Sequence, residues 1–224
     1  MSHTDEPEER LSRWVSPTAS PAKLSEQLKP LILSVLVLTL LTGAVFPIVL
    51  AAIARPLFPR QAAGSLIMAG GRVIGSELIG QQFNRPDYFQ PRPSAAGAGY
   101  DATSSGGTNL GPNNPKLRDG AKDFAGIQQL AEEYRKRNSL PPDAEIPIDA
   151  VTRSASGLDP HISPENAMLQ ASRVARARGL SEETVRRLVS DHTQGPQFGL
   201  LGNSRVSVLE LNLALDQVPK VTGR

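Results

Sequence analysis

The chain of 224 residues contains no cysteine, only three histidines, and aromatic residues at 4%. Without cysteine there is no disulfide scaffold, no zinc site built from four thiolates and no thiol nucleophile. His161 and His192 have no companion ligand at helical spacing, so a metal site is not expected. No G-x-x-x-x-G-K-[ST] motif occurs, and Ser105-Gly106-Gly107 lacks a following Lys, which excludes a phosphate-cradling P-loop. A dominant charge is missing too. The 24 Lys+Arg against 22 Asp+Glu leave a net +2, too little to indicate a nucleic-acid binder. His161 lies near Asp159 and Ser163, but residues two apart in one turn rarely converge as nucleophile, base and orienter. His161 reads as a turn or cap residue. No catalytic site is expected in this chain.

What the sequence does have is one long apolar run. Residues 30–54, PLILSVLVLTLLTGAVFPIVLAAIA, hold no charge in 25 positions. As a helix this run would span about 37 Å, enough for a hydrocarbon core about 30 Å thick. Lys29 and Arg55 close its ends. Ala52-Ile53-Ala54 has the form of a signal-peptide cleavage site, but a signal h-region is about 7–15 residues, so the run predicts a retained single-pass anchor over 29–55. Three basic residues flank each side, and charge counting does not orient it. Pro47 is expected to kink its last third. Thr39 and Gly43, four apart, form a small-residue face suited to packing on partner helices.

Residues 1–28 are polar, with five acids and three bases, and read as a disordered tail. Residues 56–224 read as a mixed α+β domain. Gly70-Gly71 between Ser65–Met68 and Arg72–Ile74 predicts a hairpin. From Asn84 to Gly120, 18 of 37 residues are Gly, Pro, Ser or Asn, a loop whose length suggests an interaction surface. Arg92, Ser94, Asn109 and Asn113 are its candidate interface residues, with the loop expected to be ordered against a partner. Helical spacing predicts a helix over 123–138 with Phe124, Ile127, Leu130 and Tyr134 on one face, and Ile148–Val151 reads as a strand. Ser163 and Pro164 start a helix that Gly179 ends, and a second starts at Ser181 and buries Val185, Leu188 and Val189. Leu209, Leu211, Leu213 and Leu215 alternate with polar or small residues, a period of two that predicts a final strand. The helix pair with Arg173, Arg176, Arg178, Arg186 and Arg187 also fits a membrane-anchored helix-turn-helix regulator, the remote alternative.

The stretches GSELIGQQF (75–83), YFQPRPSA (88–95), SSGGTNLGPNNPKL (104–117), DAVTRSASGLDPHISPENA (149–167), QASRVARARGL (170–180) and VLELNLALD (208–216) resemble the C subunit of the Kdp potassium-transporting P-type ATPase, KdpC. Order and spacing match along residues 30–216. Arg153-Ser154, Thr108 and Asn113 depart from the family's usual residues without breaking a motif.

The resemblance implies a complex in the bacterial inner membrane with three partners: a potassium-binding channel-like subunit, a P-type ATPase subunit and a small single-span subunit. It implies an extracytoplasmic C-terminal domain, no nucleic-acid partner, and no tightly bound cofactor, with ATP handled through the complex. Two roles follow from it. In one the chain is a catalytic chaperone that raises the ATP affinity of the pump subunit, with Gln170 as the nucleotide-contacting candidate. In the other it is an external cap stabilising the potassium entry side. Physical reasoning favours the cap. ATP is cytoplasmic, and a Gly- and Asn-rich loop lacks the charge density a triphosphate needs.

Overall fold

The computed structural model describes residues 23–219 and divides the chain into two compact units, residues 1–62 and 63–224. In the first unit, helix α1 (Leu24–Leu40) passes through a π-helical turn (Leu41–Val45) into α2 (Phe46–Leu57), followed by the short α3 (Pro59–Ala62). The continuous helix Ser25–Leu57 has 33 residues with none of its most apolar window buried, so it is long and apolar enough to cross a membrane. Helix begins at Leu24, so the end of the stretch expected to be a tail is helical; residues 1–22 lie outside the described residues. The distortion expected at Pro47 falls one turn earlier. Proline has no N–H to give the carbonyl four residues back, and the helix accommodates this by widening, with the Phe46 N–H reaching the Leu41 carbonyl. The Ser34 and Thr42 hydroxyls turn back onto the Leu31 and Leu38 carbonyls, which hides their polarity within the helix.

The second unit is α+β, with small sheets and larger helices. Strands β1 (Leu66–Ala69) and β2 (Arg72–Ser76) form the expected hairpin, with Ala69 opposite Arg72. Both glycines of its two-residue turn have positive φ, which is why glycine occupies both places. A three-stranded antiparallel sheet in the order β3-β5-β4 joins β3 (His161–Ile162), β5 (Arg205–Ser207) and β4 (Thr193–Gln194). Around it lie α4 (Pro115–Asp119), α5 (Ile127–Asn138), α6 (Ile148–Val151), α7 (Pro164–Arg178), α8 (Glu182–Asp191) and α9 (Val208–Gln217).

Local sequence explains the starts and stops of α7 and α8. The Ser163 hydroxyl accepts from the Asn166 N–H, Pro164 stands at the first helical position, and Gly179 closes the helix in the left-handed conformation. Ser181 caps α8 in the same way through the Thr184 N–H. The main core gathers Phe89, Ala167, Ala171, Val174, Val185, Val189, Val206, Leu211 and Leu215. A smaller cluster, Tyr134, Ala150 and Val151, lies under α5 with Ile127 and Leu130 packed on it.

Three sequence expectations are corrected. The segment read as a final strand is helix α9. Its alternating leucines hid a second pattern, because Val208, Leu209, Leu211, Asn212 and Leu215 are the buried set and follow a helical face. The helix signal was present as Ser207-x-x-Glu210, and Ser207 does cap the helix through the Glu210 N–H. Residues 148–151, read as a strand, form a single helical turn after Pro147. Ala150 and Val151 are both buried while Ile148 is 77% exposed, which an alternating strand cannot arrange. The helix expected from residue 123 starts at Ile127, after Gly126. Phe124 precedes it and lies 4.2 Å beneath the Arg153 guanidinium.

Candidate functional site

The segment from Gln82 to Gly107 has almost no regular secondary structure, yet three of its residues are buried. Phe89 and Ala96 are fully enclosed and Gln90 nearly so. Buried backbone groups need partners, and here side-chain amides supply them. The Asn212 amide of α9 accepts the Phe89 N–H at 2.8 Å and donates to the Phe89 carbonyl at 2.9 Å. The Gln170 amide of α7 treats Gln90 in the same way, accepting its N–H at 2.8 Å and donating to its carbonyl at 3.0 Å. Two consecutive residues are thus held as a neighbouring strand would hold them, by one amide each.

Gln170 has no capacity left. Its oxygen also accepts from Arg173 Nη2 at 2.7 Å, and its nitrogen also donates to Asn166 Oδ1 at 2.9 Å. Both lone pairs and both N–H groups are therefore used inside the domain. Arg173, itself 6% exposed, donates to Asn138 Oδ1 at 2.9 Å and to the carbonyls of Tyr88 and Pro86. Burial lowers its pKa to about 10, since all these acceptors are neutral. Asn166 in turn is held by Asp149 Oδ2, and Asp149 also accepts from the Ser163 N–H and hydroxyl.

Arg92 and Ser94 face inward. Arg92 Nη1 pairs with Asp159 Oδ2 at 2.9 Å, while its other nitrogens donate to the Thr152 carbonyl and hydroxyl. The Ser94 hydroxyl donates to the Gly157 carbonyl at 2.6 Å and accepts from the N–H groups of Ala96 and Tyr100. Asn109, in a left-handed conformation, and Asn113 remain exposed. In the apolar helix, Thr39 and Gly43 are likewise uncovered by the chain. The structure therefore fastens Arg92 and Ser94 in one network, linked through Tyr100, and Gln170 in another, and leaves the other four candidates on the surface.

Asp159 Oδ1 accepts the His161 N–H at 3.0 Å and lies 3.5 Å from His161 Nδ1. Ser163 turns instead to Asp149, so the three do not form a catalytic array. Among the described residues no group of His, Asp or Glu is placed to hold a metal. Burial alone would raise the Asp159 carboxyl, but the hydrogen bonds from His161 and Arg92 and the Arg92 charge hold it below its ordinary value. A depressed carboxylate stabilises the fold above its unfolded pKa and loses that contribution as pH falls through the folded one. Unfolding free energy should therefore drop as pH falls below about 5, and less steeply in Asp159→Asn. Parallel slopes in the two proteins would remove this linkage.

Four of the five arginines of the helix pair, Arg173, Arg178, Arg186 and Arg187, are bonded within the domain. Arg178 bonds the Asp87 carbonyl and Asp216, and Arg186 and Arg187 pair with Glu182 and Glu183 one turn earlier. An arginine face presented to DNA is not what this arrangement offers. Asn212 and Arg173 escaped notice as site residues. A lone Asn in the apolar run VLELNLALD was the available signal, because a polar residue on a buried face must be bonded to something.

The family model described as "KdpC: K+-transporting ATPase, c chain" matches residues 28–217. The chain belongs to the KdpC family. A relative from Mycobacterium tuberculosis is 49% identical over 195 residues, covering 87% of this chain and all of the relative. One from Koribacter versatilis is 53% identical over 191 residues, covering 84% of this chain and 94% of its own. A third, from Rhodopseudomonas palustris, is 50% identical over 203 residues, covering 85% and 98%. Each is named a potassium-transporting ATPase KdpC subunit. The span matched by the family model includes all but the first turn of the apolar helix, the clamped segment and both clamping amides.

Proposed function

We propose that the chain is a non-catalytic, single-pass subunit of an ATP-driven potassium importer of the bacterial inner membrane, its α+β domain lying outside as a cap that stabilises the potassium entry side of the channel-like subunit. Its partners in this reading are that subunit, the P-type ATPase subunit and the small single-span subunit. Family membership supports the assignment to a potassium-transporting ATPase, and the 33-residue apolar helix supports the anchor. The cap is favoured over a nucleotide-contacting chaperone by one observation: every hydrogen-bonding position of Gln170 is filled by Gln90, Asn166 and Arg173. A nucleotide would have to displace bonds that hold a buried loop. No cofactor of its own is assigned to the chain.

Gln170→Ala provides the test. Loss of such buried hydrogen bonds costs about 1–3 kcal/mol per group, so folding or assembly should weaken. ATPase activity of the complex is then measured against ATP and against potassium, with assembly checked in parallel. The cap reading expects reduced assembly or altered potassium activation. A fully assembled variant whose only defect is a raised ATP requirement would establish the chaperone instead.

A further inference from the structure

Three guanidinium groups line one concavity of about 540 Å3 on the second unit: Arg137 from α5, and Arg173 and Arg176 from α7. The remaining lining residues are Asn84, Pro86, Gln90, Ser139 and Ala177, with no acid among them. Two carboxylates that these arginines feel, Asp87 beside Arg173 and Glu182 beside Arg176, have other partners. Asp87 is bound to Arg85 Nε at 2.9 Å, and Glu182, which also feels Arg176, is bound to Arg186 at 2.7 Å. Glu133, one turn before Arg137, lines the adjoining cleft. Arg137 donates to Gln90 Oε1 at 2.6 Å, and Arg173 meets neutral acceptors only.

The ends of α5 and α7 converge here, and helix C-termini carry about half a negative charge each. Against three cations that leaves a surplus of about two positive charges at a concave surface. We propose that this pocket docks an acidic side chain, Asp or Glu, of a partner subunit, a proposal that rests on the reading of the chain as a subunit. The occupant is a carboxylate by charge complementarity. Phosphate sites draw on helix N-termini and their free N–H groups, whereas both helices here present carbonyl ends. A guanidinium fork accepts either group, so it is the lack of helix N-terminal N–H donors that favours a singly charged carboxylate here.

The test uses the complex assembled from full-length subunits. Arg137→Gln with Arg176→Gln should reduce co-purification of the partner subunits about tenfold at moderate salt, the scale expected for losing the partners of a docked charge. Both side chains are exposed, and losing the Arg137 bond to the buried Gln90 should cost the variant chain only a few degrees of melting temperature. Arg176→Glu alone, in case the double variant is unstable, should reduce recovery at least as strongly, while Arg176→Lys should keep most of it. Co-purification equal to wild type at every salt concentration overturns the proposal. So does specific stabilisation of the full-length chain by inorganic phosphate, relative to sodium chloride at equal ionic strength, that disappears in the double variant, since the pocket would then be a free-anion site. Failure of the subunit reading itself would appear differently, as no partner recovered with the wild-type chain.

Discussion

Replacing Asn212 with alanine is expected to lower the melting temperature of the full-length chain by about 6–12 °C. Asn212 is 1% exposed, and its amide is the partner of both polar groups of Phe89, whose side chain is fully buried in the main core. Alanine leaves an N–H and a carbonyl buried without partners, at about 1–3 kcal/mol each before any relaxation. A total near 3 kcal/mol converts to about 2–4 °C per kcal/mol for a domain of this size. Asn212→Asp separates hydrogen bonding from packing. The carboxylate still accepts from the Phe89 N–H but has nothing to donate to the carbonyl, so it should rescue little. Adding Gln170→Ala should cost less than the sum of the single changes, because Phe89 and Gln90 are adjacent and come loose together. A shift below about 2 °C for Asn212→Ala would mean that water replaces the amide, and the clamp would lose its importance.

Gly157→Ala is the second large effect. Gly157 has φ +67°, where a side chain is strained by about 1–2 kcal/mol. A Cβ there would stand 2.6 Å from the Ala96 nitrogen and 2.7 Å from the Gly106 carbonyl oxygen, both backbone atoms of neighbouring loops. Those loops are tied at this point: Ser94 donates to the Gly157 carbonyl, and the Gly106 N–H donates to the Ser156 carbonyl. The variant should therefore lose about 3 kcal/mol or more, the range reserved for strain and backbone displacement. Hydrogen exchange should rise across residues 94–107 before it rises in α7. Melting and exchange unchanged from wild type would show that the three loops part easily.

Capping chemistry and long apolar runs were the legible parts of the sequence. Ser163-Pro164, Gly179, Ser181 and Gly70-Gly71 each carry a local physical reason for their conformation, and each appears where that reason puts it. Ile148–Val151 and Leu209–Leu215 mislead because short segments satisfy two periodicities at once, and burial by distant elements chooses between them. The site was half legible. Gln170 stood out by resemblance, yet its meaning depends on Gln90, 80 residues away, and the role of Asn212 depends on Phe89, 123 residues away. Nothing in local propensity reports such pairings. Arg92 and Ser94 looked like surface residues of a Gly- and Pro-rich loop, because composition says how a loop bends and not what covers it.

The amide clamps also impose an order on how the molecule comes together. The Gln170 clamp cannot close until α7 is in place and the Asn212 clamp until α9 is, and the α9 amide comes 123 residues after the segment it holds. During synthesis the 84–107 segment must therefore wait, its buried-to-be polar groups still in water, while the helices that will receive it are being made. Contacts so distant in sequence slow folding, since loop-closure entropy is spent before any bond rewards it. The interval is a window in which a protease or a misplaced partner meets this segment open. Truncation before residue 208 would leave that window half open, because Gln170 and Arg173 could still hold residues 86–90 while the polar groups of Phe89 kept no amide partner.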